Sequence, residues 1–367
     1  MDLIKKIKQR IYPAVSGYLI RATLMEGPLS KTGRHLRCFF IGNSLFMRYL
    51  MRKVYAEPAR VAGTRKMWLP AVGNSIKGLA DSQDICIAVL SKKYDQALRG
   101  LYAFRAQEYV GQAVDIFGSW EEIRARFHKK KRQISNNLAA KYGFSYRIST
   151  DMQDFDHFYH QMHLPHTKRQ FGESSLIVPY EDMKKSFSKG FLLMVMRGRC
   201  PVAALLCTVR ERVLVAYKLG VLDGVGENIK SGAQMALYYF QILYAKEQHF
   251  HKVDLLKIPS LIDNGIYRTK REWGAAVYPD DGAASWVYFF MPHHPERAAG
   301  FFENTPMIIS TDSGLKGITG VSDDFELSPD TRKKLIRQFY SPGLEGLLVL
   351  TPNATAPVEL SFRGLHA

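Results

Sequence analysis

The sequence is poor in cysteine, and the few it has are not arranged for chemistry. Cys38, Cys86, Cys200 and Cys207 are widely spaced, form no C-x-x-C pair, and mostly sit in apolar, strand-like surroundings such as Ile85-Cys86-Ile87-Ala88-Val89. The pattern gives no disulfide framework and predicts reduced core thiols, which suits a cytoplasmic location. Long apolar runs are missing too: no stretch approaches the roughly 20 residues that span a bilayer. The run 11–20 is broken by Pro13, Ser16 and Gly17 and leads to no small-residue cleavage site, so no signal peptide is read. There is no repeat of fixed period and no low-complexity tract. No H-E-x-x-H pattern is present, and no Ser-His-Asp or Cys-His order, which argues against hydrolytic nucleophilic catalysis.

Acidic residues are the scarcer charge. Against 34 Asp and Glu stand 51 Lys and Arg, and the resulting +17 predicts attraction to polyanions: phosphorylated cofactors, RNA or an anionic membrane face. What is plentiful is apolar and aromatic, at 46% and 12%, so the chain is globular. Its 367 residues leave room for two domains or one enlarged α/β domain with extensions. At the start, Leu3, Ile4, Ile7 and Ile11 beside Lys5, Lys6, Lys8 and Arg10 fit a basic amphipathic helix, either solvated or in peripheral contact with a membrane.

Residues 1–78 are basic and irregular, with Gly27-Pro28, Gly33, Pro58, Pro70 and Gly73-Asn74 interrupting every periodic run. From Asp84 the pattern sharpens: a buried strand over 85–90, a helix over 94–107, and a strand over 109–117 ending at Gly118. An α/β domain is expected to begin here and to run over 79–291, with 292–367 as a C-terminal extension. Ser119-Trp-Glu-Glu122 has the form of a capping box. It should open one helix with Trp120, Ile123, Phe127, Ile134 and Leu138 inward, and Arg124, Arg126, Lys129, Lys130, Lys131 and Arg132 outward. That cationic face is either solvated or a docking surface for phosphates.

Gly143 fits a helix end and 144–148 a strand. The next helix, 151–164, is expected to stop at Pro165. It carries His157, His160, His163 and His166 at steps of three, a spacing that lets only neighbouring pairs share a ligand, and no metal site is expected. Lys168 and Arg169 then fall in a basic loop placed to face a substrate cleft. Residues 191–196, 201–209 and 213–221 read as an antiparallel meander.

The chain is organised around 213–275. A strand over 213–221 leads through a glycine-bearing loop into a helix whose Met235, Leu237, Tyr238, Phe240, Ile242 and Leu243 leave almost no polar face, so it is buried against a sheet. Lys252-Val-Asp-Leu-Leu returns as a strand. A helix crossing between two strands places its N-terminus near the strand ends, where anions bind. A turn at Asn264-Gly265 precedes the basic and aromatic segment Tyr267-Arg268-Thr269-Lys270-Arg271-Glu272-Trp273-Gly274.

In this order, and in Lys130-Lys-Lys-Arg132, the 192–206 hairpin, Gly220 with Gly232, Asp254, and Tyr267-Arg-Thr-Lys270 with Trp273-Gly274, the chain resembles the Gcn5-related N-acetyltransferase (GNAT) fold, in its FemAB-like branch, over about 107–278. The resemblance implies an α/β (α+β) fold: a mixed, mainly antiparallel sheet flanked by helices, with N- and C-terminal extensions. It also implies an N-acyl or aminoacyl transferase that moves an activated acyl group from acyl-CoA or aminoacyl-tRNA to an amine of an envelope or polysaccharide precursor. The acceptor would be a small-molecule or lipid-linked amine.

The family's pyrophosphate loop, Gln/Arg-x-x-Gly-x-Gly/Ala, is met here only by a degraded Lys230-Ser231-Gly232-Ala233, which would bind the donor. Lys270 matches the lysine thought to stabilise the oxyanion in Fem ligases; alternatively it covers the sheet edge. Asp254 would hold or deprotonate the acceptor amine, or cap the next turn. Tyr217 would protonate the leaving group, or belong to the core. Arg268, with Lys168, Arg169, Lys130 and Arg132, would meet a substrate or polyanion. From a different functional class stands a catalytically silent fold of this kind, binding RNA or membrane phosphates through its basic face at the inner membrane surface.

Overall fold

The computed structural model describes residues 19–56, 59–68, 76, 84–172, 177–222, 226–291, 295–322, 324–352 and 356–364. The amphipathic segment 3–11 and the Asp223-Gly224 pair lie outside them. The described residues divide into two units: one within Met1–Val110, Pro259–Gly265 and Pro279–Leu365, the other within Gly111–Ile258 and Ile266–Tyr278. These units cross the boundaries expected at 78 and 291, because strand pairing groups segments that are distant in sequence.

Unit 1 holds a six-stranded sheet in the order Arg60–Trp68, Leu19–Pro28, His35–Ile41, Ile85–Ser91, Ser285–Phe290, Phe104–Ala106. A second sheet is built from Met307–Ser310, Leu315–Gly320, Gly346–Leu350 and Val358–Ser361. One core, with Phe40, Phe46, Phe289, Phe301 and Phe302 among its members, serves both. Three expectations are corrected here. The irregular-looking N-terminal segment contributes three strands and the helix Leu45–Val54, with Gly27 near a strand end, Gly33 at the end of a turn and Gly63 inside a strand. Residues 94–107 give only a short helix, Asp95–Leu98, and then a strand, since Gly100 adopts φ +81 and ends the helical path. Strand Ile85–Ser91, expected to open the α/β domain, pairs instead with Ser285–Phe290 in unit 1.

Unit 2 contains the sheet that the resemblance describes. Its elements are β1 (Tyr109–Asp115), α1 (Trp120–Ala125), α2 (Lys129–Ala140), β2 (Phe144–Ser149), α3 (Met152–His157), a π-helical stretch (Phe158–His163), α4 (Leu164–Phe171), α5 (Tyr180–Phe187), β3 (Gly190–Arg197), β4 (Cys200–Arg210), β5 (Val213–Val221), α6 (Gly226–Lys230), α7 (Ala233–Glu247), β6 (Lys252–Pro259), α8 (Gly265–Glu272) and β7 (Ala276–Tyr278). The sheet order is β7-β1-β6-β5-β4-β3-β2, antiparallel from β2 to β5 and parallel between β5 and β6. One face is covered by α7, whose Ala236, Leu237, Phe240 and Ile242 pack on Leu193, Val195 and Leu205. The opposite face carries Phe155, Phe158, Met162, Met183 and Phe187 against Leu192, Met194 and Leu206.

Local chemistry explains the helix boundaries that depart from expectation. The capping box forms as read, Ser119 accepting from the Glu122 N–H while Glu122 accepts from Ser119. The single helix then breaks after Ala125, and the Nδ1 of His128 accepts from Lys130 N–H to start α2. Pro165 does not stop the histidine helix. Its missing N–H is absorbed where the π-helical stretch hands over to α4, which runs on to Phe171 and ends at Gly172 with φ +52. Cys38, Cys86 and Cys207 are buried, as core thiols should be, whereas Cys200 is exposed at the β3–β4 turn.

Candidate active site

β5 and β6 pair only through Val213, Leu214 and Val215 with Lys252, Val253 and Asp254, although they run on to Val221 and Pro259. Each strand contributes to the parting. In β5, the register against β4 passes from Ala216↔Cys207 to Lys218↔Leu206, so Tyr217 is an extra, bulged residue. A bulge bends a strand and adds twist. In β6, Leu256 takes φ +64, a left-handed conformation that a branched side chain adopts only when its surroundings impose it.

Those surroundings are three side chains. Asp254 Oδ1 accepts from the Leu256 N–H at 2.8 Å and from the Tyr278 hydroxyl at 2.8 Å. The Tyr278 ring reaches it by lying over Gly111, where a Cβ would sit 2.1 Å from the ring. From α8, the buried ammonium of Lys270 donates to the carbonyl oxygens of Leu255 and, at 3.2 Å, Leu256. Lys270 and Asp254 are thus brought to the same few residues of β6.

Burial draws the Lys270 pKa down to about 8, with the Asp254 carboxylate opposing the shift. An ammonium has three donors, and two are placed on the carbonyls. Lys270 therefore sits inside the structure with its ammonium on carbonyls of the parted strand. Asp254 does cap the following turn, and its Oδ2 carries no bond among the described residues. The Tyr217 ring is partly buried and packs against the cluster of Phe158 and Met162.

The residues expected at the donor loop meet at the α6–α7 junction. Gly232 has φ +92 and stands at the N-cap of α7 with no side chain capping it, and Ala233 is the first, buried residue of the helix. Ser231 Oγ accepts from Arg197 at 2.6 Å and donates to Asn228 O at 3.0 Å. Lys230 is exposed at the end of α6, a helix occupying part of the segment expected as loop.

The basic residues are less free than their spacing suggests. Arg132 donates to the carbonyls of Ala125 and Phe127, both at 2.8 Å, and so caps α1. Arg126 donates to Asp115 O at 2.7 Å, and Lys131 is buried against Glu272 at 3.2 Å. Lys130 remains exposed on α2. Lys168 and Arg169 lie in the last turn of α4 and not in a loop, and Arg268 is exposed on α8. Sequence reasoning misses Tyr278 and the left-handed Leu256, for which no local signal exists. It also misses Lys218, for which adjacency to Tyr217 is the one available signal.

The strand order, the parallel β5–β6 pair that parts, and the buried helix between them form the mixed, mainly antiparallel sheet flanked by helices that the resemblance implied. No protein-family model matches the chain, and no curated protein matches it. Among solved structures it is similar to FemX, at 11% identity over 73% of this chain and 83% of that one, with a TM-score of 0.39. It is also similar to L-PGS from Bacillus licheniformis, at 12% identity over 73% and 83% with a TM-score of 0.33. A third is a GCN5-related N-acetyltransferase from Sphaerobacter thermophilus, at 13% identity over 69% and 71% with a TM-score of 0.32. Likenesses this distant carry nothing about substrate.

Proposed function

We propose that the protein is an N-acyl or aminoacyl transferase whose reaction takes place where β5 and β6 part. The observation that carries this reading is the desolvated Lys270 ammonium beside Asp254 at the point of parting. Attack of an amine on an activated acyl carbon places negative charge on the carbonyl oxygen, and a preorganised cation in a low-dielectric site stabilises it without reorganisation. The third N–H of Lys270 is the donor for that oxygen. Asp254, held by Tyr278 and the Leu256 N–H, offers Oδ2 to the acceptor ammonium and takes its proton. As the tetrahedral intermediate collapses, the bond from the acyl carbon to the donor's sulfur or oxygen breaks, and Tyr217 supplies a proton to the leaving atom.

The donor is acyl-CoA or aminoacyl-tRNA, with its phosphates at Lys230, Ser231, Gly232 and Ala233. The acceptor is a small-molecule or lipid-linked amine of an envelope or polysaccharide precursor, approached from the side of Lys168, Arg169 and Arg268. The test is a binding and transfer assay with acetyl-CoA, longer acyl-CoAs and aminoacyl-tRNA against amine acceptors. Transfer abolished in Lys270→Ala supports the reading. Salt-steep RNA binding without transfer to any amine would instead select the silent, polyanion-binding fold.

A further inference from the structure

Lys218 is a half-buried cation. Its ammonium lies 5.7 Å from the centroid of the adjacent Tyr217 ring, and among the described residues it makes no hydrogen bond or ion pair. Other enclosed cations of the same unit are provided for: Lys131 by Glu272 and Lys270 by two carbonyls. Taking an ammonium out of water without an acceptor is costly, so a structure that does so calls for an explanation.

The surroundings of Lys218 narrow that explanation. It lies on β5 beyond Val215, in the part that β6 has left, and the bulge at Tyr217 puts it in register with Leu206, on the face covered by the π-helical stretch. That stretch rests directly on the strand: a Cβ on Gly220 would come within 2.4 Å of the His163 nitrogen. His163 Nδ1 donates to Leu219 O at 2.9 Å, and its Nε2, like Nδ1 of the buried His166, has no partner among the described residues. Burial holds both imidazoles below their ordinary pKa, and the Lys218 charge lowers that of His163 further. Lys218 therefore faces a neutral histidine and an aromatic ring, and burial lowers its own pKa as well. Among the described residues, neither a competing cation nor a neutralising carboxylate stands beside it.

We propose that Lys218 receives an anionic oxygen group, a carboxylate or a phosphate, of a ligand that enters the open part of β5 beside the π-helical stretch. A charged hydrogen bond made there replaces the solvation that Lys218 has lost. The proposal rests on reading the parted strands as the ligand site, but it requires no transfer chemistry.

Competitive acetylation of the whole chain with limiting acetic anhydride tests it. The reaction is run in sodium chloride, sodium acetate and sodium phosphate at equal ionic strength, and each lysine is quantified by mass spectrometry. Lys218 is expected to be protected several-fold by acetate or by phosphate relative to the exposed Lys189, and the salt that protects identifies the group. Equal protection of Lys218 and Lys189, or none, overturns the proposal. Lys218→Met, which keeps the length of the side chain, should lose any rise in unfolding temperature that the protecting salt gives the wild type. An unchanged rise in the variant would place the anion elsewhere. Failure of every amine-transfer assay would remove the proposed activity while leaving the protection of Lys218 as it was found.

Discussion

Both large sheets of this protein contain a parallel pair within a mostly antiparallel arrangement, and the two pairs have opposite fates. In unit 1, His35–Ile41 runs beside Ile85–Ser91 with Cys38, Phe39, Phe40 and Ile41 opposite Ile85, Cys86, Ile87 and Ala88. The pair stays closed to its end, where Gly42, at φ +125, lets the backbone approach Val89 so closely that a Cβ would sit 3.2 Å from the Val89 oxygen. Its flanks are phenylalanine, and burial pushes the thiols of Cys38 and Cys86 up, the latter to about 12, which leaves them protonated and inert. In unit 2 the pair parts after Val215 and Asp254, and its flanks carry Asp254, Lys270 and Lys218. There burial moves a lysine down toward the working range of pH. The same desolvation silences one crevice and prepares the other, and the difference lies in which residue types line the opening.

The contrast can be broken most severely at the closed pair. Phe40→Ala empties a fully enclosed position in unit 1 and is expected to cost about 3–5 kcal/mol of stability, read from the urea midpoint. Turnover per folded molecule should stay at the wild-type level; a parallel fall in both would mean that the closed pair takes part in function.

At the open pair, Lys270→Ala is expected to lower turnover on the order of a hundredfold, the loss of one oxyanion donor. It also strips two carbonyls of their donor, at about 1–3 kcal/mol for each group left unsatisfied. Lys270→Arg should recover only part of the rate, because the planar guanidinium carries its charge from a different position. Near-normal turnover in Lys270→Ala would leave the lysine as a clamp on the kinked strand.

A pH series separates those two roles. If the reaction needs the ammonium, the rate falls as pH rises through about 8. Stability moves the other way. Between about 8 and the ordinary lysine value of 10.5 the unfolded chain holds this proton and the folded one does not, so this group's contribution to stability rises with pH across that window. A rate and a melting temperature that fall together above pH 8 would show unfolding rather than titration of Lys270.

The smallest effect is expected at Tyr278→Phe. Losing the hydroxyl that holds Asp254 should cost about 0.5–1.5 kcal/mol of stability, with a loss of rate below that of Lys270→Ala. A loss of rate as large as that of Lys270→Ala would promote Tyr278 from positioning residue to participant in proton transfer.

Short-range patterns were legible because their causes are short-range. Ser119 and Glu122 form the capping box, Gly143 closes α2, and the meander from β3 to β5 with α7 after it stands where alternation and apolar content put them. The cationic helix was legible as a pattern but not as a surface. Periodicity shows which side of a helix a residue takes, and it does not show that Arg132 will turn back onto the carbonyls of a broken α1. Pro165 misled for a related reason, since its stop rule assumes an α-helical turn before it and here a π-helical stretch precedes it.

By itself the sequence determined the order of strands and helices in unit 2, and it set Asp254 and Lys270 on neighbouring elements, because hydrophobic period, caps and turn residues act within a few positions. Tertiary structure alone decided the rest. It drew the N-terminal strands together with Ile85–Ser91, Ser285–Phe290 and the C-terminal sheet into one unit, and it decided where β5 and β6 stop pairing. It also took the Lys270 ammonium out of water onto two carbonyls. Pairing across hundreds of residues and desolvation of a charge depend on what surrounds a residue in space, and no local window of sequence contains that.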